Sequence, residues 1–213
     1  MLAYELMKTK NYNKIIILGS DTITCAKLDE FIDDYESDII ATLDYPYRFD
    51  THRAKSPDSE THLNADVVCF NNLQALQDVI SVSMHHPIYY EQGGLNEVVW
   101  NSNKYKTKIA DYPYKESKVI YNARAKGNIV DNTGEKPWKK YINQFYVKNN
   151  QLFSYDNKQI KVFHYCEGFG TLREDRFNEL LNWWIFSCFN EETKLFFKNI
   201  CNTGDFFEKR YEE

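Results

Sequence analysis

At 213 residues, with 43% apolar and 16% aromatic residues, the chain is long enough to bury a core and too apolar to be disordered. A net charge of −5 and a pI of about 5.6 exclude the overall electrostatic footprint of a duplex-DNA binder. The five scattered cysteines, without a CxxC, suit reduced thiols in the cytoplasm better than a disulfide framework or a zinc site.

The first ten residues carry Glu5, Lys8 and Lys10, so they read as a leader or short helix rather than a signal peptide, and no apolar run approaches membrane-spanning length. Ile15 to Leu18 is an unbroken apolar run, the pattern of a strand covered on both faces of a parallel sheet. Gly19, Ser20, Asp21 and Thr22 follow it. A glycine without a Cβ and a run of hydroxyls make a loop that a phosphate can approach, although neither GxGxxG nor GxxxxGK[ST] is present.

Cys25 to Tyr35 shows Leu28, Phe31 and Ile32 at helical spacing, and Ser37 to Leu43 reads as a second strand running into Asp44, Tyr45 and Arg48. A polar loop over 51–63 leads to a third strand, Val67 to Phe70, which ends in Asn71 and Asn72, and Leu73 to Ile80 forms the next helix. Three strand-loop-helix units predict an α/β domain with a Rossmann-like, mostly parallel sheet flanked by helices.

Beyond residue 80 the pattern loosens into a less regular half of the same 1–213 domain. Ser81 to Tyr90 reads as an extended segment turned at Gly93-Gly94, Leu95 to Trp100 as a short helix, and Lys118 to Tyr121 as a strand. The stretch 122–140 is rich in Asn, Gly, Lys and Pro and reads as a long loop suited to a lid. Tyr141 to Lys148, Gln151 to Tyr155 and Gln159 to Tyr165 alternate as strands, with turns at Asn149-Asn150 and Asp156-Asn157. Leu172 to Phe189 carries an apolar stripe capped at Thr171, and Lys194 to Ile200 reads as a last strand. The phrase Asp44-Tyr45-Pro46-Tyr47 recurs as Asp111-Tyr112-Pro113-Tyr114, too little for a repeat architecture, and it reads as chance in a chain with 16 tyrosines.

Three constellations carry chemistry. The expected convergence of strand ends gathers Gly19, Ser20, Asp21 and Thr22 with Arg48, Asn71 and Asn72, offering donors, a cation and base-reading amides for a nucleotide. Loop preference alone explains the same Asn and Asp residues. In HHPIYYE, His85 and His86 with Glu91 offer an imidazole-carboxylate pair suited to deprotonating a hydroxyl, or else an inert surface group. His164 and Glu167, ahead of Arg173 and Arg176, mark either an anion site at a helix N-terminus or an ordinary capped helix. No DxD is present, so the sequence does not signal a divalent cation at a diphosphate, and no metal ligand is assigned.

Taken together, IIILGSDTIT, IIATLDYPYRFD and DVVCFNN resemble the donor-binding half of sialyltransferase-type, CMP-sugar-using glycosyltransferases, and HPIYYE is similar to their HPxxYE-like motif. The resemblance spans about the first 90 residues. It implies a metal-independent transfer from a nucleotide sugar, bound at Gly19, Ser20, Arg48 and Asn71, to the hydroxyl of a glycan or other acceptor, with His86 as general base. No cofactor beyond that donor is implied. The competing expectation is a non-enzymatic Rossmann-like binding module of viral or mobile-element origin, since the architecture alone does not fix an activity.

Overall fold

A computed structural model describes residues 2–44, 56–57, 60–85, 90–123, 143–164 and 189–200. In chain order the elements are α1 (Leu2–Lys10), β1 (Ile15–Leu18), β2 (Thr22–Thr24), α2 (Asp29–Ile32), β3 (Ile39–Leu43), β4 (Leu63–Phe70), α3 (Leu73–His85), α4 (Glu91–Asn101), β5 (Thr107–Ile109), β6 (Val119–Ile120), β7 (Phe145–Lys148), β8 (Gln151–Ser154), β9 (Gln159–Ile160), β10 (Val162–His164) and α5 (Glu191–Ile200). The chain divides into two compact units, Met1–Thr22 with Lys27–Ser117, and Ile23–Ala26 with Lys118–Glu213.

The first unit holds a four-stranded sheet in the order β1-β4-β3-β5. β3 and β5 run parallel, but β4 is antiparallel to both β1 and β3. The α/β class therefore stands, whereas the mostly parallel Rossmann-like sheet is corrected to a mixed one, with β1, β3 and β5 in one direction and β4 reversed between them. β1 is accordingly an edge strand rather than a doubly covered one, and Leu18 is 41% exposed.

The core lies where one face of this sheet meets α3 and α4, around Ile39, Ala41, Leu43, Leu63, Val68, Phe70, Leu76, Val79 and Leu95. Gly93 and Gly94 lie inside α4 rather than at a turn. A Cβ on Gly94 would come within 2.9 Å of the Val79 carbonyl oxygen, so the glycine is what lets α4 close on α3. The segment expected to be extended from Ser81 instead continues α3 to His85. Lys14 closes the other end of the unit: its ammonium donates to the carbonyls of Phe31, Ile32 and Asp34 at 2.6–2.7 Å, satisfying the C-terminal end of α2, and lies 3.9 Å from the Tyr35 ring centroid.

The second unit contains a sheet in the order β6-β9-β8-β7 and the β10-β2 pair. Asn149 and Asn150 take φ of 51° and 58°, the left-handed pair that closes a two-residue hairpin at the expected place. The expected strand from Gln159 divides at Lys161, because β9 pairs with β6 and β8 while β10 pairs with β2. Phe145, Phe163, Phe189 and Phe197 pack with ring centroids 5.0–5.8 Å apart. The expected last strand is instead α5: Thr193, Phe196 and Phe197 are buried at helical spacing, and Asn190 caps the helix by accepting from the Thr193 N–H at 2.9 Å.

Candidate functional site

Because β4 is reversed, the carboxyl ends of β1, β3 and β5 share one end of the first unit's sheet with the start of β4. Asn71 and Asn72, which follow β4, lie at the opposite end and are not brought to Gly19. The Asn71 amide donates to the carbonyls of Asp34 and Ser37 at 2.9 and 2.7 Å. Asn72 accepts from the Gln74 N–H at 2.9 Å and the Ala75 N–H at 3.3 Å, capping α3, and donates to Asp38 at 2.8 Å. Both amides are occupied by structural bonds, which corrects their expected convergence with the first loop.

At the Gly19 end, the Gly19 N–H donates to the Asp66 carbonyl at 2.8 Å, and the Thr22 hydroxyl donates to the Gly19 carbonyl at 2.8 Å. Ser20 is exposed, and Asp21 and Thr22 are half-buried. A Cβ on Gly19 would meet Asp66 Oδ1 at 2.8 Å and Asp21 Oδ1 at 3.0 Å, so the space the glycine leaves open is flanked by two carboxylates. Arg48 and His86 lie outside the described residues. Glu91 is exposed in the first turn of α4, and His85 bonds the Ser81 carbonyl within its own helix at 2.7 Å. In the second unit, His164 is buried with Nδ1 2.7 Å from Asn122 Oδ1; Glu167, Arg173 and Arg176 lie outside the described residues.

The most concentrated chemistry on this end is a group the sequence reading passed over: Asp44, His62, Asn64, Asn96 and Asp111, each at most 2% exposed, with Gln92 half-buried among them. Its construction follows from strand register. Leu43 and Leu63 face each other without exchanging hydrogen bonds, because the Asp44 N–H already pairs with the His62 carbonyl at 2.8 Å. The Leu43 N–H therefore points away from β4, and Asp111 Oδ1, just past β5, accepts it at 2.9 Å.

On the other side, β4 extends beyond its last partner on β1, Val67, leaving the Leu63 backbone without a neighbouring strand. The Asn96 amide replaces that strand, accepting from the Leu63 N–H and donating to its carbonyl, both at 3.0 Å. Gln92, one turn earlier on α4, reaches Asp44 Oδ2 at 3.4 Å and His62 Nε2 at 2.9 Å, while Asn64 donates to Asp44 Oδ1 at 3.3 Å.

Two signals for this group were in the sequence. The tetrapeptide echo places its two aspartates, Asp44 and Asp111, just beyond two adjacent parallel strands. The alternation His62, Asn64, Asp66 puts polar side chains on one face of a strand that is otherwise apolar.

A hollow of about 600 Å³ also lies in the first unit, lined by residues that include Asp29, Asp33, Asp34, Glu36, Lys106 and Lys108. Lys106 and Lys108 pair with Glu36 and Asp34 at 3.0 Å, which makes this an ion-paired face. The hollow sits at the other end of the sheet from Gly19, where hydrogen bonds to Asp38 anchor the start of β5.

No protein-family model matches the sequence, and no curated protein does. Two solved structures are similar to it at a low level. One is the apo form of the bifunctional glycosyltransferase WbbM, 13% identical with a TM-score of 0.41, over 84% of this chain and 34% of that one. The other is an active-site mutant of LgtC, 17% identical with a TM-score of 0.41, over 84% of this chain and 66% of that one. The chain thus spans about a third of the first and just under two thirds of the second. Neither is named as a sialyltransferase.

Proposed function

We propose that this chain acts in nucleotide-sugar-dependent glycosyl transfer to an acceptor hydroxyl. The observation that carries the reading is the set of buried Asp44, Asn64 and Asn96 with half-buried Gln92 at the sheet end that also bears the Gly19 loop. Fixed amides and a carboxylate, with few flexible cations, are the groups that read the hydroxyls of a sugar.

In this reading the donor's phosphates lie at the Gly19–Thr22 loop and its sugar extends toward Asp44 and Gln92. The base in this reading is His86, as the sequence resemblance implies, and Glu91 stands in the first turn of α4, one residue before Gln92. The bond from the acceptor oxygen to the anomeric carbon forms as the bond from that carbon to the phosphate oxygen breaks. The phosphate leaves with the electron pair, and His86 holds the acceptor's proton.

Asp21 and Asp66 bear on the metal-free form of the reading. Their carboxylate oxygens lie within 4.8 Å of one another beside Gly19, and they oppose a bare phosphate there unless a cation intervenes. The test is calorimetry with CMP, UDP, GDP and their sugars, run in chelator and again with Mg²⁺ or Mn²⁺. Binding of one nucleotide sugar, with release of free nucleotide when acceptor glycans are added, is the expected result. No binding at millimolar concentration in either buffer overturns the reading.

A further inference from the structure

Within that site, and resting on the transferase reading, we infer that His62 is a positioning residue whose neutral imidazole holds the Gln92 amide so that its carbonyl oxygen is presented to a hydroxyl of the substrate sugar. Gln92 Nε2 stands between Asp44 Oδ2 at 3.4 Å and His62 Nε2 at 2.9 Å. A carboxylate only accepts hydrogen bonds, so the side of the amide turned to Asp44 is its NH₂. That NH₂ then meets His62 Nε2, which must be the unprotonated ring nitrogen, and the proton sits on Nδ1, 3.3 Å from the Ser56 hydroxyl.

Both amide hydrogens of Gln92 are thereby used, whereas Oε1 accepts no hydrogen bond among the described residues. Gln92 is also only half-buried, unlike Asp44 and His62, which are 2% exposed, so it is the least buried member of the group. A fixed acceptor of this kind binds a hydroxyl and discriminates against a substrate that lacks one. Neither Asp44 nor His62 needs to touch the sugar.

The experiment compares the wild-type chain with His62→Ala and His62→Gln in calorimetry with whichever free nucleotide and matching nucleotide sugar bind the wild type. His62→Gln offers a neutral acceptor to the same NH₂. The expected result is that His62→Ala weakens the nucleotide sugar at least tenfold, leaves the free nucleotide unchanged, and is rescued by His62→Gln. ¹⁵N spectra of the ligand-free wild type are expected to show Nε2 unprotonated.

Equal loss for nucleotide and nucleotide sugar in His62→Ala, no loss for either, or a protonated Nε2 at neutral pH overturns the inference while leaving the transferase reading in place. Failure of every nucleotide to bind the wild type overturns that reading and this role together.

Discussion

The Leu43 N–H donates to the Asp111 carboxylate at 2.9 Å, joining the last residue of β3 to a side chain 68 positions further on. Both groups are buried, so the carboxylate does what a further strand residue would otherwise do. Asp111→Ala strands a buried N–H and is expected to lower stability by about 1–3 kcal/mol, whereas Asp111→Asn keeps an acceptor and costs less. Urea denaturation of the two variants measures the difference, and equal losses would show that the acceptor is not what matters.

Asp44 and Gln92 are expected to separate activity from folding. Asp44→Asn and Gln92→Leu should retain the far-ultraviolet circular dichroism of the parent and lose turnover by on the order of a hundredfold, the scale of removing one positioned polar group from an active site. Unchanged turnover in both would place the chemistry elsewhere.

Asn71 and Asn72 are expected to behave in the opposite way. Their amides hold the α2–β3 corner and cap α3. Asn72→Ala should lower stability by about 1 kcal/mol, the usual scale for a lost cap, and neither alanine variant should alter nucleotide affinity. A nucleotide-specific loss would return these asparagines to the binding site.

Gly19→Ala is expected to impair binding at the first loop. The added Cβ would stand 2.9 Å from the Asp66 Cβ, too close for either atom, so the strand end or the Asp66 side chain must move. Nucleotide titration of this variant against Ser20→Ala, where the side chain is exposed, separates loop geometry from hydroxyl chemistry.

Asp34 sets an acid limit on the first unit. The Ser37 N–H, bonded to its carboxylate at 3.0 Å, is the largest influence holding its pKa down to about 2 from 3.8, with Lys108 and the Glu36 N–H acting the same way against burial. A depressed carboxyl stabilises the fold at pH values above its unfolded pKa, and that contribution is lost as pH falls from about 3.8 through about 2. Asp34→Asn should flatten this part of the stability profile, measured by thermal melts between pH 5 and pH 2.

Local signals carried a good part of the fold. The Asn149-Asn150 hairpin, the helix beginning at Leu73, the strand through Ile39–Leu43 and the strand at Val119 were all legible, because turn chemistry and apolar spacing act within a few residues. The Lys194–Ile200 segment misled because four of its seven residues are apolar, a density that strand and helix share; burial of Thr193, Phe196 and Phe197 on one face makes it a helix.

The sequence by itself determined that this is an α/β chain with a Gly-polar loop after its first strand and a polar start to β4. The direction of β4 was decided only by tertiary structure. Strand polarity depends on which neighbours a segment pairs with, and those partners lie tens of residues away, beyond any local pattern. That one reversal carries Asn71 and Asn72 to the far end of the sheet and brings His62, Asn64 and Asp66 to the near end, where Asp44 and Gln92 complete the site.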